Sequence, residues 1–311
     1  MSRAGKRSIG RKGYVDLQVN GYRGINFSNP GLSVADVRLV TEALVAQGTA
    51  AYCPTVVTSP LATYRAVLPV LAAAMAEPDL REHLLGIHIE GPFFTPEARG
   101  AHLLSLLRKP DADLFDRWQE LAGGQIRLLT LAPEREGAPA LIRHVVRRGV
   151  VVSLGHHMGD KSAIDRAIDA GAACCTHLGN GVANVLARHP NPIWTQLADD
   201  RLTGMFIADG HHLPAEFVRV ALRAKGLDRT ILTSDVSSVA GLPPGEYDAM
   251  GTTVVLEKSG RLSVKHSASL AGSSATMADC VAWLRSWSDL GEAELTQIAR
   301  DNPLRLLGLA D

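Results

Sequence analysis

The sequence is short of cysteine, of excess charge of either sign and of long apolar runs, and each shortage removes a class of protein. Four cysteines in 311 residues, two of them adjacent at Cys174 and Cys175, make no disulfide framework. In a chain this long they read as reduced thiols packed in a core, which points to a cytoplasmic setting. Lysine plus arginine and aspartate plus glutamate stand at 32 each, so no basic excess marks a nucleic-acid surface. A local cluster of cations could still hold an anionic small molecule. No apolar stretch approaches the length of a membrane span, so no membrane partner is expected. The start, MSRAGKRSIGRKG, is basic but runs into no apolar core, so it is not expected to act as a secretory signal. Residues 1–12 are expected to form a mobile basic tail ahead of one domain over 13–311.

What is present is ordinary material for a large core: 46% hydrophobic and 21% charged residues, in a length that suits one α/β barrel. β-rich runs at 14–20, 50–57, 84–90, 125–132, 150–156, 172–177, 203–209 and 230–235 alternate with amphipathic segments such as 34–48, 138–149, 162–171 and 214–226. Gly48, Gly149, Gly171 and Gly226 stand where a helix wants a left-handed cap. Apolar strands alternating with capped helices imply a parallel sheet covered by helices. Eight such units predict closure into a (β/α)8 TIM-type barrel. The run TTVVLEKSGRLSV (252–264) reads as a hairpin turning at Ser259-Gly260. LAGSSATM (270–277) reads as a helix start capped by serine.

The ends of the strands carry the chemistry. Strand one ends at Gln18 and Asn20, strand three at His88 and Glu90, strand five at His156 and His157, and strand six at His177. Strand seven ends at Asp209 with His211 and His212 beyond it, and strand eight at Asp235. In such a barrel these C-terminal ends face one mouth, where catalytic groups gather. One polar strand end before a Gly-Pro break, such as Glu90, is unremarkable by itself; six converging ends imply a site. One carboxylate and two histidines from separate strands suit a single divalent metal with an open position, Zn2+ first and Fe2+ or another divalent ion next. Such an ion brings the pKa of a bound water near neutrality, and Asp235 could take that proton and pass it to a leaving group. Amide or ester hydrolysis fits. Gln18 and Asn20, two apart on one strand face, are carboxamides and poor ligands, so one metal is expected with these two as hydrogen-bonding neighbours. Alternation lets only one of His156 and His157 face the mouth, and His156 is favoured. Asp209, ahead of Gly210, reads as a turn residue.

Nine motifs in order, DLQVNG (16–21), HIEGPFF (88–94), GAH (100–102), LTLAPE (129–134), SLGHH (153–157), THLGN (176–180), IADGHH (207–212), TSDV (233–236) and LAGSSATM (270–277), resemble those of the amidohydrolase superfamily and, within it, the N-acetylglucosamine-6-phosphate deacetylases. The resemblance implies Glu90, His156 and His177 as metal ligands and Asp235 as the catalytic acid and base. It implies that His212 helps bind the sugar phosphate, that Asn180 and Gly181 contact the substrate, and that His102 lies near the reacting end. Arg188 falls where an arginine of a neighbouring subunit reaches the phosphate, which implies a homodimer. Two departures stand out. The family usually reads Asn-Ala-Met after the strand-six histidine, where this chain has Asn180-Gly181-Val182 followed by RHPNPIW (188–194). Relatives also carry a small β-sandwich built from both chain ends, which is expected to be essentially absent here, leaving its flank to be buried in an oligomer.

The expected function is metal-dependent hydrolysis of the N-acetyl amide of an amino-sugar phosphate, N-acetylglucosamine 6-phosphate first. The alternatives are another N-acyl sugar or cyclic amide as substrate, or a barrel that binds sugar phosphates without turnover.

Overall fold

The computed structural model describes residues 12–310. The tail expected at 1–12 lies, apart from Lys12, outside the described residues. Eight strands follow in order: β1 (Tyr14–Val19), β2 (Thr49–Val57), β3 (Ile87–Glu90), β4 (Ile126–Leu131), β5 (Val151–Leu154), β6 (Cys174–Cys175), β7 (Thr203–Ile207) and β8 (Thr230–Thr233). Each pairs in parallel with the next. The seam between β8 and β1 is closed by a Val19–Val236 bridge, in which the Asn20 N–H donates to Val236 O at 2.8 Å. A buried carboxylate reinforces it: Asp16 Oδ1 accepts from Thr233 Oγ1 at 2.8 Å and from the Ser234 N–H at 3.2 Å, and Asp16 Oδ2 accepts from Ser234 Oγ. The result is the expected barrel, with every strand but β2 shorter than the run that announced it.

Helices lie between the strands, among them α1 (Val34–Ala46), α2 (Leu61–Ala76), α3 (Ala112–Leu121), α4 (Ala138–Val146), α5 (Lys161–Asp169), α6 (Pro192–Ala198) and α7 (Ala215–Lys225). Their starts are local in origin: Ser33 and Asp36 form a capping box on α1, and Asp160 caps α5 through the Ala163 N–H, satisfying donors that a helix end leaves open. Outward strand residues such as Ile87, Ile89, Leu129, Leu131 and Leu154 pack on these helices. Inside the barrel, Val15, Leu17, Cys53, Leu128, Met205 and Ile231 form an apolar floor closed by Leu304 and Leu307 near the chain's end. Above that floor the inward positions turn polar, because the next inward residues after Leu128 and Ile231 are Thr130 and Thr233.

After β8 the chain builds a small antiparallel sheet of β9 (Gly245–Ala249), β10 (Thr252–Leu256) and β11 (Leu262–Val264), so the expected hairpin is two strands of three. It has its own apolar cluster of Val239, Ala249, Val254, Leu256, Leu262 and Ala271. The chain then enters α8 (Met277–Arg285), whose cap is Thr276, boxed with Asp279, and not a serine of the LAGSS run. Among the described residues no helix is long and apolar enough to cross a membrane.

Candidate active site at the barrel mouth

Glu90 is the last residue of β3 because the next residue cannot continue a strand. Gly91 has φ +85, and a Cβ there would stand 2.3 Å from Thr58 Oγ1 and 2.7 Å from the Phe94 ring. The chain therefore turns, and leaves Glu90 3% exposed at the mouth.

The other core side chains do not lie on strands. β5 ends at Leu154 and β6 at Cys175, and His156, His177 and Asp235 follow in left-handed backbone with φ 53, 32 and 53. They are three of the six non-glycine residues with such φ among the described residues, and this strain concentrates at the mouth. Neighbours hold each turn. His156 O accepts from the Thr95 N–H at 3.1 Å, His177 O from the Asn180 N–H at 2.9 Å and Asp235 O from the Ser273 N–H at 2.9 Å. Glu134, a residue the sequence did not single out, supports the first of these by accepting from Thr95 Oγ1 at 2.5 Å and the Met158 N–H at 2.6 Å. Strand alternation is thus not what separates His156 from His157. The left-handed turn sends His156 inward, while His157 lies behind it with Nδ1 accepting from the Gly159 N–H at 3.2 Å.

One oxygen organises the centre. Glu90 Oε1 is approached by Gln18 Nε2 at 2.9 Å, His177 Nε2 at 3.1 Å and His156 Nε2 at 3.3 Å. His156 Nδ1 is tied to Ala98 O at 3.0 Å, which leaves Nε2 as its inward nitrogen. His102 joins the group, because donor atoms of Glu90, His102 and His156 lie within 4.8 Å of one another. Its ring stands edge-on to His156 at 4.6 Å and to Phe94 at 5.0 Å. The second carboxylate is held separately: Asn20 Nδ2 donates to Asp235 Oδ1 at 2.8 Å. Gln18 on β1 and Asn20 just past its end thus each steady one carboxylate.

The two acids are driven apart electrically. Burial would raise Glu90, but the hydrogen bonds from His156 and His177 outweigh it and hold the carboxyl well below its usual range. Asp235 is pushed up to about 7, by burial first and then by the charge of Glu90, against the opposing pull of His177, His212 and Asn20. A pair of carboxyls separated in this way divides labour between a permanent anion and a group that exchanges protons near neutrality. Burial lowers His102 to about 3, so it is neutral. Gln18 Oε1, Asn20 Oδ1, His102 Nδ1, His177 Nδ1 and Asn180 Nδ2 are buried without a partner in the chain. Buried polar groups are seldom left so. An anion ringed by imidazoles, with spare buried donors beside it, suits a divalent cation.

The cavity above this centre has a volume of about 380 Å³ and is lined by His102, Asn180, Gly181, His212 and Asp235, with an apolar wall including Val182, Leu186 and Met250. Among the described residues its lining holds no lysine or arginine. Gly181 (φ +62) rests on the histidines: a Cβ would meet His177 Cε1 at 2.8 Å and His156 N at 3.1 Å. Arg188 is exposed and lies outside the lining. His211 reaches away, its Nε2 3.1 Å from Ser259 O at the hairpin tip. His88, expected at the mouth, is one layer lower, its nitrogens paired with Leu17 O at 3.1 Å and Thr130 Oγ1 at 2.7 Å.

No family model matches the sequence. The chain is 32% identical over 302 residues to N-acetylglucosamine-6-phosphate deacetylase of Bacillus subtilis (strain 168), covering 96% of this chain and 75% of the relative. It is 32% identical over 297 residues to N-acetylgalactosamine-6-phosphate deacetylase of Escherichia coli O157:H7, covering 95% and 77%. A mutant N-acetyl-D-glucosamine-6-phosphate deacetylase from Mycobacterium smegmatis, solved in complex with N-acetyl-D-glucosamine-6-phosphate, superposes with a TM-score of 0.88 at 29% identity, over 96% of this chain and 77% of that one.

Proposed function

The chain belongs to the N-acetylglucosamine-6-phosphate deacetylase family of the amidohydrolase superfamily, and from that premise we propose that it hydrolyses N-acetylglucosamine 6-phosphate to glucosamine 6-phosphate and acetate. The observation that carries this reading is geometric: His156 and His177 Nε2 converge on one oxygen of Glu90, 3.3 and 3.1 Å away, while a second buried carboxylate, Asp235, is held apart by Asn20 at the same cavity.

The family implies a divalent metal, and Zn2+ is our assignment, held by Glu90, His156 and His177. His177 is preferred to His102 as the third ligand because its Nε2 already points at Glu90 Oε1, 3.1 Å away. When bound, such an ion polarises a carbonyl and lowers the pKa of water. The chain's own residues do the rest. Gln18 keeps Glu90 turned inward. Asp235, steadied by Asn20, accepts the proton of the attacking water and returns it to the departing amine nitrogen, so that amide plus water becomes acetate plus amine. His102, neutral and at the cavity wall, donates to the acetyl oxygen as negative charge develops there. Asn180, Gly181 and His212 bind the sugar phosphate. Arg188, outside the protomer's own cavity, serves the phosphate of a second subunit in a homodimer. All of this machinery lies in the one barrel domain.

The test is release of free amine from N-acetylglucosamine 6-phosphate by zinc-loaded protein, with the unphosphorylated sugar and the galacto epimer alongside. Turnover restricted to phosphorylated sugars supports the phosphate contacts. Equal turnover of the unphosphorylated sugar favours a second reading, a neutral N-acyl sugar as substrate, which the absence of lysine and arginine from the described cavity lining supports. Binding without turnover would favour a non-catalytic barrel.

A further inference from the structure

Asp209 does more than a turn residue requires. A turn-capping aspartate needs one oxygen for the backbone amides ahead of it, and Asp209 Oδ1 does this, accepting from the N–H groups of His211 at 2.9 Å and His212 at 2.8 Å. Its other oxygen is engaged elsewhere. Oδ2 accepts from His212 Nδ1 at 2.7 Å and from Ser273 Oγ at 3.0 Å. The side chains of Asp209 and His212 are 2% and 6% exposed, so this is a buried pair and not a surface contact. Burial would raise the Asp209 carboxyl, but the hydrogen bond and charge of His212 and the backbone amides hold it well below the usual range.

We propose that Asp209 is a positioning residue for substrate binding: its carboxylate fixes the His212 ring so that Nδ1 carries a proton and Nε2 is presented to the cavity. An ionised carboxylate only accepts hydrogen bonds, so the ring nitrogen facing it must donate, and the choice of tautomer at one nitrogen sets what the other offers. The fourth bond extends the same restraint. Ser273 N–H donates to Asp235 O at 2.9 Å and Ser273 O accepts from the Ser237 N–H at 2.8 Å. One carboxylate therefore references His212 to the segment that carries Asp235, a spacing that matters if one ligand touches both. The kinetic consequence rests on the amino-sugar phosphate reading of the cavity; the tautomer does not.

Two measurements test this, and they fail independently. The first is a long-range proton–nitrogen correlation on zinc-loaded, 15N-histidine-labelled protein, with the His212 signal assigned by its loss in His212→Gln. The wild type is expected to show Nδ1 protonated. In Asp209→Asn the amide oxygen keeps the two backbone donors, the NH2 group faces Nδ1, and the proton moves to Nε2. A wild-type His212 protonated only at Nε2, or a signal unchanged by Asp209→Asn, overturns the proposal. Should that variant not fold, the wild-type signal alone decides. The second is steady-state kinetics. Asp209→Asn should raise KM for N-acetylglucosamine 6-phosphate about tenfold and change kcat by less than about threefold, and Asp209→Asn combined with His212→Gln should be no worse than His212→Gln alone. Additive losses, or a loss in kcat alone, overturn it. A wild type inactive on every substrate refutes the functional reading and leaves the tautomer result to decide the role of Asp209.

Discussion

His88 and His177 are both buried imidazoles inside the same barrel, 0% and 4% exposed, yet they belong to two different kinds of layer. In the lower layer every named group has a partner. His88 uses both nitrogens, Thr130 Oγ1 bonds to Thr176 Oγ1 at 2.7 Å, and Thr176 Oγ1 donates to Ser153 Oγ at 2.6 Å. In the upper layer His177 Nδ1, His102 Nδ1, Gln18 Oε1 and Asn20 Oδ1 have none, and His156, His177 and Asp235 adopt left-handed backbone. Residue type does not distinguish the layers; satisfaction does. A closed polar network adds rigidity and specifies the core, whereas unpaired groups and strained turns cost stability and persist where a ligand uses them. The lower layer also carries the upper one, since Thr176 precedes His177 and His88 stands two residues before Glu90 on the same strand.

Substitutions can break this contrast. The largest effect is expected for Asp235→Asn, which removes the proton acceptor while keeping the shape: kcat should fall by about 10³-fold or more, with metal content by elemental analysis and the melting temperature little changed. Activity near wild type would sink the assignment of Asp235. Next, His177→Ala should lose most of the bound metal and His102→Ala should retain it. The reverse outcome would make His102 the third ligand. Third, Gly181→Ala places a methyl against His177 and His156 at a positive φ, and kcat/KM should drop about tenfold or more for a shift of this kind at the reacting centre. Fourth, Thr130→Val in the lower layer leaves His88 Nε2 without its partner and takes one of two from Thr176. It should cost about 1–3 kcal/mol in denaturant unfolding and leave KM unchanged.

The smallest effect is a pH dependence, and it sharpens the contrast by sign. The carboxyl of Asp235 is raised to about 7 from 3.8 in the metal-free fold, so between those pH values the folded chain binds more protons than the unfolded one. Stability contributed by this group is therefore complete at low pH and falls as pH rises toward 7. Glu90, held below its ordinary value of 4.5, contributes the opposite slope, losing stability only as pH falls through the acid range. Melting of metal-free protein between pH 5 and 7.5 should decline with pH in the wild type by on the order of 1 kcal/mol and be flatter in Asp235→Asn. Equal slopes would show that Asp235 is not the group titrating there.

Much of the architecture was legible in the sequence because barrels are built from local signals. Short apolar β-runs recur eight times between amphipathic segments, four of them closed by glycine, and the polar residues at the ends of six runs mark where the strands open. The site was legible only in its membership. Nothing in the spacing of His156 and His157 says that a left-handed turn, and not strand alternation, chooses between them. Nothing in HIE says that His88 belongs to a satisfied layer and Glu90 to an unsatisfied one, because both face inward and the difference is what stands opposite. Asp16 and Glu134 escaped for the same reason, since their partners, Thr233 and Ser234, and Thr95, lie far away in the chain. Asp209 was legible as a turn residue, but its bond to distant Ser273 was not.

By itself the sequence determined the repeating strand–helix units, the caps that end them and the set of polar residues delivered to one end of the barrel, since these follow from propensities and periodicities acting within a few residues. Only the tertiary structure decided which of those residues pair with each other and which are left facing the cavity. Hydrogen bonding, burial and charge at the mouth depend on groups brought together from across the chain, as when Gln18, His156 and His177 converge on one oxygen of Glu90.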